Sequence, residues 1–507
     1  MFRVLGLFAA MVLAIAVPAN AEWRQARTDH FILTIDDTED GARSFAERLE
    51  RFDGAMRRLY AVADNLDQHA RPIAIYALKY ELFNQSCGCP GTLGFYRQRA
   101  EGSFIFTMHM PDSDKKSKTG SWSSQALLLH EFSHHFTFSN FPIAYPYWFA
   151  EGFAEFNANT SFEPDGSVII GYPANYRAEA LLSGAQMSSK QFFDPERYGF
   201  IANTDLIYGR GWLLTHYLML NPQRSGQLGA YLAAMNRGKP SLDAAQESFG
   251  DLKKLNAELD VYKRSRLLAP LRIPPSASPP HVTVTTLSPG QAEMMPIRMP
   301  MLYGVAKGYG LRMAIPAAKI AAKHPDDALV QEQSAEAELL AGRLDKADEA
   351  ADRALRLKPD LVDALIRKGM IAIRRAREAK ATDPATWTAA RSWLLKANRA
   401  DPNAVFPLYL YYLSYPQANT KPTPGAIKGL MRAAALAPES SGVRMALARQ
   451  MLIDGDAPSA RNLLQPIAFA PHRPIGENLP REVVNLIDAG KIEEARARMT
   501  KDDNNDD

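Results

Sequence analysis

Two histidines and three glutamates are spaced along the chain so that together they could bind a catalytic metal ion. His130 and His134 are four residues apart in the run His-Glu-Phe-Ser-His, so one helical turn places both imidazoles on the same face. Glu151 and Glu155 repeat this spacing in Trp-Phe-Ala-Glu-Gly-Phe-Ala-Glu. Zinc is commonly bound by imidazole nitrogens and carboxylate oxygens, so these residues indicate an open site of the catalytic kind.

Two helices must position these side chains. Ser121 or Ser123 can cap the first helix, and its apolar side, away from the histidines, carries Ala126, Leu127, Leu129, Phe132 and Phe136. The stretch from Asn140 to Pro146 breaks this helix, and Pro146 suits the first turn of a second one. A second helix that returns antiparallel would bring its carboxylates to the imidazoles.

The predicted metal ligands are His130, His134 and Glu151, with a water in the fourth position. Glu155 lies one turn beyond Glu151 and is predicted to accept the free ring N–H of a ligand histidine. Glu131 flanks the metal. The alternative is a solvated helix pair whose carboxylates are unrelated to any metal.

At this point the two motifs resemble the gluzincin metallopeptidases, in the branch of the zinc aminopeptidases and the smaller peptidase MA-like proteins. The resemblance implies that His130, His134 and Glu151 bind Zn²⁺ and that Glu131 is the catalytic base. The segment Tyr-Gly-Arg-Gly that starts at Tyr208 resembles the segment of zinc aminopeptidases that supplies a tyrosine to the oxyanion of the reaction. The resemblance assigns this role to Tyr208. The other interpretation of Tyr208 is a core tyrosine at a helix start.

The chain before this site predicts an α+β arrangement, with a mixed sheet, the metal helix and a helical subdomain. Strands are expected at His30 to Asp36, Pro72 to Leu78 and Ser103 to Met110, and a helix at about Glu39 to Tyr60. In gluzincins an edge strand of such a sheet binds extended substrate, and Ser103 to Met110 is our candidate. The Gly-x-Met-Glu-Asn signature of the aminopeptidases has no match, which favours an endopeptidase.

Residues 1–21 have one cation, an apolar run and Ala-Asn-Ala, which predicts a signal peptide cleaved after Ala21 and a secreted or periplasmic protein. An uncleaved anchor is the alternative. No later stretch is apolar enough to span a membrane. With 59 basic against 56 acidic residues, charge does not indicate nucleic acid as a partner. Cys87 and Cys89 are the only cysteines, and either a local disulfide or a second metal site is open.

The C-terminal half predicts an all-α solenoid that resembles tetratricopeptide repeats. Proline recurs at intervals of 34, 43, 36 and 33 residues from Pro325 to Pro471, and small alanines keep a fixed distance before three of these prolines. The domains expected are a signal peptide (1–21), a gluzincin-like zinc peptidase domain (22–267), a proline-rich linker (268–316), repeats (317–474), and a capping helix at Leu486 to Met499 with an acidic tail (475–507). The repeats either bind a protein partner on a concave surface or brace the neighbouring domain.

These features together predict a secreted or periplasmic zinc metallopeptidase that hydrolyses amide bonds of a peptide or protein substrate with a zinc-activated water and Glu131 as general base. Because every catalytic candidate precedes Pro274, residues 22–267 are expected to retain activity alone. The alternative function is a repeat-based binding or scaffold protein with an inactive peptidase-like domain.

Overall fold

The computed structural model describes residues 22–64, 71–89, 91–111, 122–182, 187–199, 204–265, 268–305, 308–470 and 478–501. The predicted signal peptide and the acidic end lie outside the described residues. Within the described ranges, no helix is both long and apolar enough to cross a membrane.

A six-stranded mixed sheet forms the first layer of the fold. Its strands are β1 (Glu22–Arg27), β2 (Phe31–Asp37), β3 (Ile73–Leu78), β4 (Gly94–Arg97), β5 (Phe104–Met108) and β9 (Thr283–Thr286), in the order β4-β5-β3-β2-β1-β9. The central strands β2, β3 and β5 are parallel, and the outer strands pair antiparallel. The predicted mixed sheet is therefore confirmed. A second sheet has the order β6 (Thr160–Phe162), β7 (Val168–Ile170), β8 (Leu271–Ile273).

The prediction that Ser103 to Met110 is an edge strand is wrong. Its strand, β5, lies between β3 and β4, and all five of its residues are buried. The edge on this side is the four-residue strand β4, which pairs antiparallel with β5 from Gly94 opposite Thr107 to Arg97 opposite Phe104. Alternation of polar and apolar residues could not reveal this, because a strand with neighbours on both sides differs from an edge strand in its backbone partners.

The helices around the two sheets are α1 (Glu39–Leu59), α2 (Tyr80–Cys87), α3 (Ser124–Asn140), α4 (Tyr147–Ala158), α5 (Ala178–Leu182), α6 (Ser189–Phe193), α7 (Pro195–Tyr198), α8 (Thr204–Leu220), α9 (Gln227–Asn236), α10 (Ser241–Phe249) and α11 (Leu252–Tyr262). α1 buries Phe45, Leu49, Phe52 and Met56, the apolar face expected from its spacing, in the main core. Cys87 at the end of α2 forms a disulfide with Cys89, so the disulfide alternative holds for these two residues.

Residues 268–316 do not form the linker that their prolines predict. The segment contains β8, which pairs with β7, and β9, which pairs with β1. It continues into helix α12 (Pro289–Tyr303), which has Pro289 in its first turn and Pro296 and Pro300 inside it. Proline fits a helix start and ends of strands as well as a linker, so composition alone could not separate these structures. A fragment that ends at residue 267 would lack a strand of each sheet, which should destabilise it.

The remaining chain is a solenoid of helices, as predicted: α13 (Gly310–Lys323), α14 (Ala328–Leu340), α15 (Leu344–Leu357), α16 (Val362–Glu378), α17 (Pro384–Ala400), α18 (Val405–Gln417), α19 (Pro424–Leu436), α20 (Ser441–Ile453), α21 (Ala457–Ala468), α22 (Leu479–Asp488) and α23 (Ile492–Lys501). Consecutive helices pack as pairs, from α12 with α13 to α22 with α23. The periodic alanines are all buried at the pair contacts: Ala347, Ala354, Ala390, Ala397, Ala426 and Ala433. The predicted final helix is instead two, separated at Gly490, whose φ of 73° is left-handed.

Candidate metal centre

Helix α3 carries both histidines on a face set by its cap and its buried side. The Ser123 hydroxyl accepts from the Ala126 N–H at 3.0 Å, so Ser123 is the N-cap residue. Phe132 is buried and packs edge-on against Phe31 of β2, with ring centroids 5.2 Å apart. This packing against the sheet fixes the rotation of α3 and turns His130 and His134 away from the core.

Helix α4 returns antiparallel to α3, as expected. The early α4 residue Glu151 lies near both His130 and His134, and the later residue Glu155 lies near the earlier histidine, His130, which defines the direction. Pro146 is the residue just before the helix, with its backbone in the extended region, rather than in the first turn.

The structure brings the three predicted ligands together. Glu151 Oε2 is 3.4 Å from His130 Nε2, and Glu151 Oε1 is 3.8 Å from His134 Nε2. One ligand atom from each residue lies within 4.8 Å of the other two, so the group could hold a metal ion. Ligands about 2.1 Å from a tetrahedral zinc lie roughly 3.4 Å apart, which these separations approach. The donor set therefore fits zinc.

The electrostatics of the site also favour a cation. Glu151 and Glu155 are both completely buried, and a buried carboxylate requires compensating positive charge. Burial alone would lower the pKa of His130, but Glu151, Glu155 and Glu131 outweigh it and raise that pKa to about 9. Arg177 already balances Glu155, so the positive charge that a metal ion would bring chiefly compensates the buried Glu151.

Glu155 lies behind His130, on the side predicted for it. Its Oε1 is 3.7 Å from His130 Nδ1, longer than a hydrogen bond. Its closer partners are Arg177, whose Nη2 donates at 2.8 Å, and Tyr176, whose hydroxyl donates at 2.5 Å. Both come from the single-turn segment Asn175–Arg177, which the sequence analysis did not single out. A lone tyrosine-arginine pair carries no spacing signal that could have identified it.

Glu131 faces the edge strand β4. A Cβ atom built on Gly94 would lie 3.1 Å from Glu131 Cγ, so glycine at this position leaves room for the carboxylate. The neighbouring His135 contacts the same strand further along, with Nδ1 3.1 Å from the Tyr96 hydroxyl. Burial lowers the pKa of His135 to about 3. His135 follows His134 directly and is therefore rotated about 100° from it around the helix, and it is a hydrogen-bonded packing residue.

Tyr208, on α8, stacks beside His130, with ring centroids 5.9 Å apart and planes 15° from parallel. The backbones of α4 and α8 touch here, since a Cβ atom on Gly152 would lie 2.2 Å from the carbonyl carbon of Gly211. This close approach of two glycines brings Tyr208 to the metal group. Burial first, and then the charge of Glu151, raises the pKa of Tyr208 well above its usual value, so its hydroxyl stays protonated and can donate.

A second phenol completes this side of the site. Tyr147 hydrogen-bonds to Tyr208, and burial raises the pKa of Tyr147 to about 12. Tyr147 was not among the predicted site residues, although its position four residues before Glu151 places it on the same face of α4.

Comparisons with known proteins give no family. No family model matches the chain, and no curated protein matches it either. One solved structure, described as "MamA RS-1 ArsTM double mutant", is 18% identical over 34% of this chain and 92% of its own, with a TM-score of 0.26. A similarity this low carries no argument about fold or function.

A second group with ligand-type atoms, His30, Glu50 and Asp53, joins β2 to α1. His30 Nδ1 is 2.5 Å from Glu50 Oε1, and Arg57 Nε is 2.5 Å from Asp53 Oδ2. Burial lowers the pKa of His30, but Glu50 and Asp53 raise it to about 9. Arginine and a protonated imidazole already balance these carboxylates, so this group needs no metal.

This cluster predicts a pH-dependent contribution to stability. The folded-state pKa of His30 is raised from 6.5 to about 9, so its contribution is fully present below pH 6.5 and is lost as pH rises towards 9. The free energy of unfolding of wild type minus that of His30→Gln should shrink by roughly 2 kcal/mol over this range. Denaturant titrations at several pH values measure it, with His281→Gln, at an exposed histidine, as control. A difference that stays constant from pH 6 to 9 would exclude the charged pair.

Proposed function

We propose that this protein is a zinc-dependent peptidase in which His130, His134 and Glu151 hold the metal and Glu131 is the general base. The observation that supports it most is the convergence of these three ligand groups from α3 and α4, with Glu131 directed at the adjacent edge strand. An open zinc site with two histidines and one glutamate is the ligand set of known hydrolytic centres.

Bound zinc would supply Lewis-acid chemistry, polarising the substrate carbonyl and lowering the pKa of a water. Glu131 would take a proton from that water as it attacks, and then deliver the proton to the leaving amine. Tyr208 would donate a hydrogen bond to the oxygen that becomes negative in the transition state. Tyr147, bonded to Tyr208, would hold that hydroxyl in place.

We further propose that substrate binds in extended form along β4, the strand that ends the sheet beside Glu131. Extended peptides add to a sheet edge through backbone hydrogen bonds, which suits many sequences. Because the sequence has no match to the Gly-x-Met-Glu-Asn signature of the aminopeptidases, internal cleavage is favoured over aminopeptidase action.

An extracytoplasmic location remains part of the proposal. The Cys87–Cys89 disulfide supports it, because disulfides persist mainly in oxidising compartments.

The test is a digest of a denatured proteome, with new peptide ends identified by mass spectrometry. A peptidase of the proposed kind should produce internal cleavages that are absent from a parallel digest with Glu131→Gln. Stepwise loss of N-terminal residues would replace the endopeptidase assignment with an aminopeptidase one. Identical end profiles for the two proteins would contradict the proposed function.

Removing the Tyr208 hydroxyl should lower turnover by about 10² to 10³-fold, because one oxyanion donor has an effect of this size. The Michaelis constant should change little, since the charge appears only after attack. Tyr208→Phe keeps the ring that stacks on His130, so stability should fall by no more than about 1 kcal/mol. Turnover, Michaelis constant and melting temperature check this.

The matched control is Tyr262→Phe, which removes a phenol hydroxyl that is 2.7 Å from His216 Nδ1, away from the metal group. It should lose stability but not turnover. A Tyr208→Phe enzyme that is slightly less stable yet fully active would show that Tyr208 is only a packing residue.

A further inference from the structure

The turn between β4 and β5 reaches out of the sheet and into the helical repeats. We call residues 98–103 the hairpin tip. Glu101 forms an ion pair of 2.6 Å with Arg367 on α16, and the Ser103 hydroxyl donates to Glu439 Oε1 at 3.0 Å. Ala100 packs against the apolar cluster of α18, α19 and α20. Six residues thus contact several successive helix pairs.

The ends of the tip are held in the same way. Arg99 Nη2 donates to the Tyr303 carbonyl at the end of α12, at 2.9 Å. The Ser441 hydroxyl at the start of α20 donates to Gln98 Oε1 at 3.2 Å. These contacts reach from the first helix pair of the solenoid to the fifth.

The helices contacted share a position in their pairs. The polar contacts reach α12, α16 and α20, each of which is the first helix of a pair, so the tip lies on the face that the first helices form together. One short turn can reach three of them, from the first pair to the fifth, only if that face curves around it. The tip therefore occupies the inner face of the solenoid, where stacked repeats commonly bind a peptide or partner.

The central contact is buried and charged. The Arg367 side chain is 7% exposed, and besides Glu101 it pairs with Glu332 at 3.0 Å and Glu336 at 3.1 Å, both on α14. If Arg367 were removed or displaced, the carboxylates of Glu332 and Glu336 would lose this positively charged partner in the interior. The inner face is thus built to receive an acidic residue from the tip.

The other end of the hairpin reaches the metal centre. Gly94 of β4 lies against Glu131, and Tyr96 of β4 binds His135 of the metal helix. Only three residues, 95–97, separate the strand contact at Gly94 from the start of the tip. A displacement at the repeats would therefore reach the edge strand almost directly.

Met295 and Met299 of α12 pack in an apolar cluster with the sheet, whereas the seam between the later repeats and the sheet is polar. It encloses a cavity of about 240 Å³ whose lining includes Arg57, Arg71, Asp401 and Glu439. Interfaces of this polar kind are typical of parts of a chain that can move relative to each other.

We infer that the inner face of the repeats is a docking site for this chain's own hairpin tip, and that docking sets the position of β4 beside the metal centre. The repeats then act as part of the substrate site, and a protein that bound this face would have to displace the tip. The role of β4 in substrate binding rests on the proposed function, whereas the docking rests on the contacts alone.

The test uses the full-length double variant Glu101→Ala/Ser441→Ala, which removes two tip contacts and leaves Arg367 paired with Glu332 and Glu336. Replacing Arg367 itself would strand those carboxylates and risk misfolding. The matched control is Glu378→Ala, which removes an ion pair with Arg374 on the same helix at an exposed position. Circular dichroism checks that all proteins fold.

Hydrogen exchange of the segment 94–97 is the first readout and requires no activity. It should be about tenfold faster in the double variant, since losing an ion pair and a hydrogen bond changes an opening equilibrium by this order. Exchange of α3 and exchange in Glu378→Ala should stay as in wild type. The Michaelis constant for an unstructured peptide should rise several-fold with turnover nearly unchanged.

The outcomes separate this inference from the proposed function. Unchanged exchange at 94–97 in a folded double variant would overturn the docking role, even if the wild type is an active peptidase. Faster exchange in a protein without peptidase activity would uphold the docking and contradict the function instead.

Discussion

Replacing Glu131 by glutamine is expected to lower peptide turnover by about 10² to 10⁴-fold, the usual contribution of a general base. The substitution keeps the size of the side chain, so Gly94 of β4 still accommodates it. Glutamine cannot accept the proton, yet the three ligand residues are untouched. Zinc content should therefore equal that of the wild type while the progress curve becomes nearly flat.

The control is Glu179→Gln, the same chemical change at an exposed residue of α5. It should hydrolyse peptides at the wild-type rate. If Glu131→Gln were as active as this control, another residue would have to move the proton, and the assignment of the base would fail.

Changing His130 and His134 together to alanine is expected to abolish both metal binding and activity. It removes two of the three ligands and leaves Glu151 buried, facing no imidazole. Because a buried carboxylate is costlier when it loses neighbours that can carry positive charge, the apo variant should also unfold more easily than apo wild type. Zinc affinity by competition with a chelator, and a melting curve without metal, measure the two effects.

His135→Ala is the matched control for this pair, since it removes an imidazole from the same helix. His135 binds Tyr96 and faces away from the metal group. Its loss should reduce stability but leave zinc stoichiometry unchanged. Zinc loss in His135→Ala equal to that in the double variant would mean that the metal lies elsewhere on α3 or that the helix has unfolded.

The three metal-ligand residues could be predicted from the sequence because their arrangement depends on residues that are close together in the chain. A spacing of four residues on a helix decides which side chains share a face, so His130 and His134 had to converge if the helix formed. Glu151 needed only one short connection, interrupted by proline, to return to them. The periodic alanines of the repeats report helix contacts in the same local way.

The features that could not be predicted from the sequence depend on contacts between residues that are far apart in the chain. β9 completes the sheet by pairing Thr283 with Arg27, and proline-rich composition concealed it. Arg177 reaches Glu155 through a turn with no characteristic pattern. The edge position of β4 likewise depends on which strands find each other, and periodicity does not encode that order.

The most direct test of the account is the metal content of purified full-length protein, measured by elemental mass spectrometry after exhaustive dialysis. The account predicts about one zinc per chain in the wild type, in Glu131→Gln and in His135→Ala, and none in the His130→Ala/His134→Ala variant. Wild-type protein without stoichiometric zinc, even after zinc is supplied, would contradict it. So would zinc that the double histidine variant retains in full.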